Sequence, residues 1–341
     1  MRAQRVVHLA TIGLAATLAC SSKKASEKSL PPEVTGLAAV PSTAQVVIAA
    51  DVGKLASSPI ITRAVDQLLL REPTLAESWQ HITESCKLDL TRDVKHVILA
   101  LGPPATGAGT GPVMMVATGS LSEPDLQACI RTMVGKGGGS LTAKSVAGRS
   151  LYQVKDGNRV MHFAFGRPDT VVLGTDEEWV KNGLGAGQKA LDNPDLKAWV
   201  GNVDQRAPLW AVGRVDERVR AGLVGVTDGK LKAGPTAIFA TVDPTAGAKL
   251  ELGTIMASPE DAKSLESFAI NELKLASWAA QLKSLGPIVA KIGVSSDGAQ
   301  VRFKADLSMD EVNQLLSVLD EKPSPEQGTP PADGSGVTQQ P

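Results

Sequence analysis

The chain has 341 residues and a net charge of −1, with 35 lysine and arginine residues against 36 aspartate and glutamate residues. This balance provides no basic surface for a phosphate backbone and therefore disfavours nucleic-acid binding. Aromatic residues make up only 3% of the chain, which also disfavours sites that stack bases or sugar rings. The length suffices for one large hydrophobic core or two small ones.

The N-terminal segment has the layout of an export signal. Arg2 and Arg5 precede an apolar stretch from Val6 to Ala19, and polar residues follow directly after Cys20. The stretch is shorter than the roughly 20 apolar residues that a membrane-spanning helix needs. We therefore predict a signal peptide over residues 1–19 rather than a transmembrane anchor.

The end of this segment, Thr17-Leu18-Ala19-Cys20, resembles the lipobox of bacterial lipoprotein precursors, in which a small residue precedes the cleaved bond and cysteine follows it. The resemblance implies that Cys20 receives a diacylglyceryl thioether and becomes the acylated mature N-terminus. Several acyl chains on one residue anchor a protein firmly on a membrane without spanning it. Ser21, at the position where Asp marks inner-membrane retention in well-known lipoproteins, favours the outer membrane. An ordinary secretory peptide is the alternative.

Two polar ends flank the body of the mature chain. We predict that residues 20–35 form the lipidated N-terminus and a flexible tether, with a mean reach of roughly 20 Å. Residues 321–341 contain almost no large apolar side chain, and we predict disorder there because they bury too little surface to offset their ordering entropy. We predict that the body consists of a first half over residues 36–203 and a second half over residues 204–320.

The first half alternates strand and helix patterns. A buried strand is predicted at 44–52, a helix after the cap residue Ser58, and two strands at 94–102 and 111–119. Ser122 is then expected to cap a second helix, which leads into a meander of four short strands separated by turn residues. This order of elements is typical of antiparallel sheets.

The second half repeats that order. A first strand at 207–215 precedes a strand pair, a long helix capped at Ser258, and a hairpin around Asp297-Gly298. A capping box beginning at Ser308 opens the last helix. We therefore predict an α+β fold of mainly antiparallel sheets with helices packed on one face, built from a duplicated β-α-β-β-α-β-β unit.

A short strand of sequence VVLGT, at Val171–Thr175, enters a helix. This feature, together with a first strand followed by a short helix, resembles a loose group of uncharacterised secreted bacterial proteins and lipoproteins. No activity is assigned to that group. The resemblance therefore implies a fold and no chemistry.

Two cysteines remain besides Cys20. Cys86 and Cys129 each lie on an apolar helical stripe. An even pair in an oxidising compartment favours a disulfide, while two buried free thiols acting as small hydrophobes are the alternative. A bond would close a loop of about 43 residues and stabilise the fold by about 4 kcal/mol on the chain-entropy model.

The sequence contains no recognisable catalytic, cofactor-binding or metal-binding motif. His81, His96 and His162 lie in separate predicted elements and lack neighbouring ligand residues at helical spacing. The acidic run at 176–178 opens a helix, where negative charge favours the N-terminal end of the dipole. The glycine-rich run at 183–187 follows a helix instead of a strand, so it lacks the order of a phosphate-binding loop. We predict no catalytic residue, no metal and no cofactor.

These features favour a non-enzymatic, membrane-anchored envelope lipoprotein with a binding, scaffold or assembly role, facing the periplasm or the cell surface. Its expected partners are the membrane, through the N-terminal lipid, and an envelope protein. A groove between two similar halves is the expected binding site. The alternatives are a hydrolase with a dispersed active site and a solute-binding lipoprotein.

Overall fold

The structure is a computed structural model that describes residues 34–86, 88–104, 111–227, 229–281 and 285–320. The predicted signal peptide, the lipidation site Cys20, nearly all of the tether and the C-terminal tail lie outside these residues.

Twelve strands form one continuous sheet in the described chain, and every pairing in it is antiparallel. The strands are β1 (Val46–Asp51), β2 (Val94–Leu101), β3 (Val113–Gly119), β4 (Ser140–Val146), β5 (Arg149–Asp156), β6 (Arg159–Arg167), β7 (Thr170–Gly174), β8 (Leu209–Arg214), β9 (Ala237–Asp243), β10 (Ala248–Ile255), β11 (Gly293–Asp297) and β12 (Gln300–Leu307). Their order across the sheet is β11-β12-β10-β9-β8-β1-β2-β3-β7-β6-β5-β4.

Eleven α-helices lie between or after the strands within the described residues. They are α1 (Val52–Ala56), α2 (Pro59–Arg71), α3 (Pro73–Cys86), α4 (Leu90–Asp93), α5 (Glu123–Lys136), α6 (Glu177–Lys181), α7 (Pro194–Val200), α8 (Glu217–Val226), α9 (Pro259–Gln281), α10 (Gly286–Val289) and α11 (Met309–Asp320). None of the helices in these ranges combines the length and the apolar character needed to cross a bilayer. The prediction of an α+β fold with a mainly antiparallel sheet is confirmed.

Most of the predicted caps form. The Ser58 hydroxyl accepts the Ile61 N–H at the start of α2, and Ser258 accepts the Asp261 N–H at the start of α9. The capping box of α11 is complete, because the Ser308 N–H donates to Glu311 while Ser308 accepts the Glu311 N–H. Ser122 occupies the N-cap position of α5 but makes no side-chain capping bond.

The two predicted halves meet at the centre of the sheet, where β1 pairs with β8. On either side the order is similar, because β2 and β3 follow β1 outward as β9 and β10 follow β8. The second half has two strands after its long helix, as in the predicted unit, whereas the first half has four. One core cluster contains Val47 of the first half together with Trp210 and Phe239 of the second.

The helices do not pack on one face only, so that part of the prediction is wrong. We call the face that carries Val47 and Trp210 face A, and the opposite face, which carries Ile48 and Ala211, face B. On face A, Trp179 of α6 and residues of α7 bury the core strands. On face B, α5 and α9 cover two separate clusters. Both faces of the first-half strands are apolar, which favours helices on both sides of the sheet.

Candidate functional site

The two candidate disulfide residues lie in contact on two neighbouring helices. Cys86 at the end of α3 and Cys129 in α5 are bonded in the structure, with their Cα atoms 4.9 Å apart. A cavity of about 490 Å³ borders both cysteines and is also lined by Asp93 and Asp125. The bond fastens α3 to the helix that covers the first-half side of face B.

The described histidines lie apart. His96 is exposed on β2, whereas His162 on β6 is 6% exposed. The His162 Nε2 atom lies 3.2 Å from Gln153 Nε2 and 3.7 Å from the Glu177 carboxylate, and its Nδ1 atom has no partner among the described groups. Burial lowers the pKa of His162 and so favours the neutral ring. Within the described residues, no group of three or more potential ligands is arranged to hold a metal ion.

The acidic run that opens α6 serves local structure. Asp176 accepts the Trp179 N–H as an N-cap, which anchors this buried tryptophan on face A. Glu177 is bonded to Lys144 at 2.7 Å and to Lys181 at 2.6 Å, and these hydrogen bonds lower the Glu177 pKa to about 2. The carboxylates are therefore occupied by partners within the fold.

A polar groove lies on face A over the strands of the second half. Its volume is about 820 Å³, and it is lined by charged side chains of both signs. Glu251 of β10 lies between two cations of β12, forming a close ion pair with Arg302 and a longer one with Lys304 at 3.5 Å. Lys54 closes one end, where it bonds Asp51 at 3.1 Å and the Arg206 carbonyl at 3.1 Å. This groove suits a polar ligand but favours neither sign of charge.

Face B carries a different surface over the six central strands, which we call the apolar field. Directly opposed residues of antiparallel strands share a face, so the strand register identifies its members. They are Thr254, Leu252 and Leu250 of β10; Ile238, Ala240 and Val242 of β9; Gly213, Ala211 and Leu209 of β8; Val46, Ile48 and Ala50 of β1; Leu101, Leu99 and Val97 of β2; and Val113, Met115 and Ala117 of β3. Thr254 is the one polar side chain among them, and none is charged.

The apolar field is only partly covered, although it lies on interior strands. Leu252 is 46% exposed, Ile238 is 43% exposed and Leu250 is 39% exposed. Ile48, Leu99 and most of the other members are half-buried, and only Thr254, Gly213 and Ala117 are buried. Contiguous exposed apolar surface of this kind marks an interaction site in a soluble domain.

The sequence analysis expected a groove between the two halves and did not identify the apolar field. The pairing of β1 with β8 joins the halves edge to edge, so the sheet continues where that groove was expected. The available signal was that strands such as Val46–Asp51 and Leu209–Arg214 are apolar at nearly every position. That pattern indicates two apolar faces, but it does not reveal which face remains without a cover.

Comparisons with known proteins add little. No known protein family matches the sequence, and no curated protein is significantly similar to it. A crystal structure of TP0453 is similar in fold, with a TM-score of 0.46 and 11% sequence identity over 84% of this chain and 98% of that chain. A likeness at this level carries no functional argument.

Proposed function

We propose that this protein is a non-enzymatic lipoprotein of the bacterial cell envelope, attached to a membrane through Cys20, whose folded domain has a binding, scaffold or assembly role. The outer membrane is the favoured location, because Ser21 follows the lipidated cysteine. Its partners are the membrane and an envelope protein.

The observation that carries this proposal is the placement of Cys20 directly after an apolar run of signal-peptide length. The sequence predicts a flexible tether over residues 20–35, which would span roughly 20 Å on average, so lipidation would hold the folded domain close to the membrane surface. The apolar field supports a binding role, because such a surface is costly to leave exposed to water.

Intact mass spectrometry of the protein extracted from membranes tests the anchor. We expect a mature chain that begins at Cys20 and carries added acyl mass, and we expect the Cys20→Ala variant to lose that mass and remain unprocessed. An unacylated wild-type chain, cleaved elsewhere and recovered in the soluble fraction, would overturn the proposal.

Turnover assays test the non-enzymatic part. His162, in contact with Gln153 and near Glu177, is a buried histidine, so a dispersed hydrolase would be expected to use it. We expect no turnover of ester, amide or glycoside substrates above background. Hydrolysis by the wild type that disappears in His162→Ala would establish an enzyme instead.

A further inference from the structure

We propose that the apolar field binds the hydrocarbon chains of lipids. This inference deepens the proposed binding role, on which it rests for the nearness of a membrane, and it names the ligand as a long acyl chain.

The apolar field is part of a row of residues that crosses the whole sheet. On the first-half side the row continues from Met115 to Leu173, Phe163 and Tyr152, which are covered by α5. On the second-half side it continues from Leu252 to Phe303, which packs with residues of α9. The two ends of the row are therefore covered by helices, and the field is the open stretch between them.

The helix α2 reaches face B at the ends of the second-half strands. Ile60 packs against the cluster that contains Ala248 and Leu307, which are face-B residues at the ends of β10 and β12. From there α2 continues through Glu72 into α3, which is bonded to α5 on the other side of face B. No residue of α2 is buried, although more than half of its residues are apolar.

One stripe of α2 is therefore apolar and incompletely packed. Ile61, Val65 and Leu69 recur at every fourth position and are each half-buried. Because the sheet also presents apolar atoms that lack full packing, an apolar ligand on the field would be stabilised by removing that surface from water.

The chemistry of the apolar field selects a hydrocarbon occupant. All six strands are paired on both sides, so their backbone N–H and C=O groups are already bonded and offer nothing to an added peptide strand. The single polar side chain, Thr254, is buried and lies 3.6 Å from the Met256 sulfur. A polar ligand would lose its hydration without gaining partners, whereas an acyl chain has no such groups to satisfy.

The test uses the mature chain from residue 20 with Cys20→Ser, so that it carries no covalent lipid and the result does not depend on the anchor. Binding of cis-parinaric acid is followed by fluorescence, and lipid that co-purifies from cells is identified by native mass spectrometry. We expect saturable binding and co-purified lipid. Absence of both would overturn the inference while leaving the membrane anchor unaffected.

Two matched variants locate the binding. Leu252→Asp places a charge in the centre of the apolar field and should weaken binding about tenfold or more. Leu191→Asp makes the same exchange at a leucine of similar exposure, 44%, beside Ala190 of the face-A core cluster, and should leave binding unchanged. Equal binding by the two variants would overturn the inference.

A third variant tests whether binding can be reduced without loss of folding. Ala211→Leu narrows the field without adding charge, and it should reduce binding of the fatty acid while circular dichroism and the urea midpoint remain close to those of the wild type. Sedimentation of each variant tests the competing occupant. A dimer that Leu252→Asp dissociates, in a chain that binds no fatty acid, would show that a second copy covers the field and would overturn the inference.

Discussion

The two faces of the central strands differ in what covers them, although their residues alternate along the same chain segments. On face A, Val47, Trp210 and Phe239 are buried in one cluster. Their immediate neighbours Ile48 and Ile238 point to face B and remain half-buried or exposed. The apolar character of a strand position therefore does not decide its burial. Burial is decided by whether a helix of the same chain reaches that part of the sheet.

The largest expected effect comes from adjacent residues of β9 that point to opposite faces. Phe239 is 1% exposed and its ring faces the Arg302 guanidinium at 4.8 Å, so Phe239→Ala should reduce the free energy of unfolding by about 3–5 kcal/mol. Ile238 is already in contact with water, and Ile238→Ala should cost about 1 kcal/mol or less. Urea unfolding of the lipid-free protein measures both values.

Similar losses for the two variants would contradict the distinction between a packed face A and an open face B. The slopes of the unfolding curves provide the control. They should be equal for both variants and the wild type, since neither substitution changes the extent of surface exposed on unfolding.

The second effect concerns the helices that border the apolar field. Replacing both Cys86 and Cys129 by serine should lower the free energy of unfolding by roughly 2–4 kcal/mol, because the bond closes a long loop in the unfolded chain. Reduction of the wild type with dithiothreitol should lower the urea midpoint by as much as the double substitution does. Alkylation of both Cys86 and Cys129 before any reduction would show that the bond does not form.

A third effect tests how tightly face A is packed. A Cβ atom at Gly253 would overlap the Phe239 ring, so Gly253→Ala should cost about 1–3 kcal/mol through overpacking. Gly222 in α8 provides the control, because a Cβ atom there meets nothing within 4 Å. Gly222→Ala should stabilise the protein by about 0.5–1 kcal/mol, since alanine favours the helix. If Gly253→Ala left the free energy of unfolding unchanged, face A would accommodate added side-chain volume as readily as face B.

Much of the fold follows from local patterns in the sequence. The caps at Ser58, Ser258 and Ser308 and the Asp297-Gly298 turn locate element boundaries, because short polar side chains and glycine meet specific backbone needs there. Gly298 indeed adopts a positive φ of 54°. These signals are local, so they can be recognised without knowing which strands pair.

The candidate sites were not predictable in the same way. The apolar field depends on the register that places Leu99 opposite Ile48 and Ile48 opposite Ala211, contacts between residues far apart in sequence. It also depends on the course of α2, which leaves its own apolar stripe without full cover. Hydrophobic periodicity identifies apolar faces but does not show which of them will be packed by helices that lie far away in the sequence. The sequence alone therefore predicted helices on one face only.

The smallest effect is electrostatic and lies at the edge of face A, where Glu177 contacts Lys144 and Lys181. These hydrogen bonds lower the Glu177 pKa from 4.5 to about 2. A carboxyl whose pKa is lower in the folded state contributes stability above its unfolded pKa and loses it as the pH falls through the folded value. The contribution should therefore be full above about pH 5 and vanish near pH 2, and solvent screening limits it to about 1 kcal/mol.

Glu177→Gln should accordingly lower the free energy of unfolding at pH 7, and its difference from the wild type should shrink steadily between about pH 5 and pH 2. Glu178→Gln is the matched control, because Glu178 is 76% exposed and its ion pair with Lys181 is more strongly screened. Urea midpoints measured at several pH values check both variants. If Glu177→Gln lowered the free energy of unfolding by the same amount at pH 2 as at pH 7, the amide would be perturbing packing against His162. The stability of this polar edge of face A would then depend on packing instead of charge.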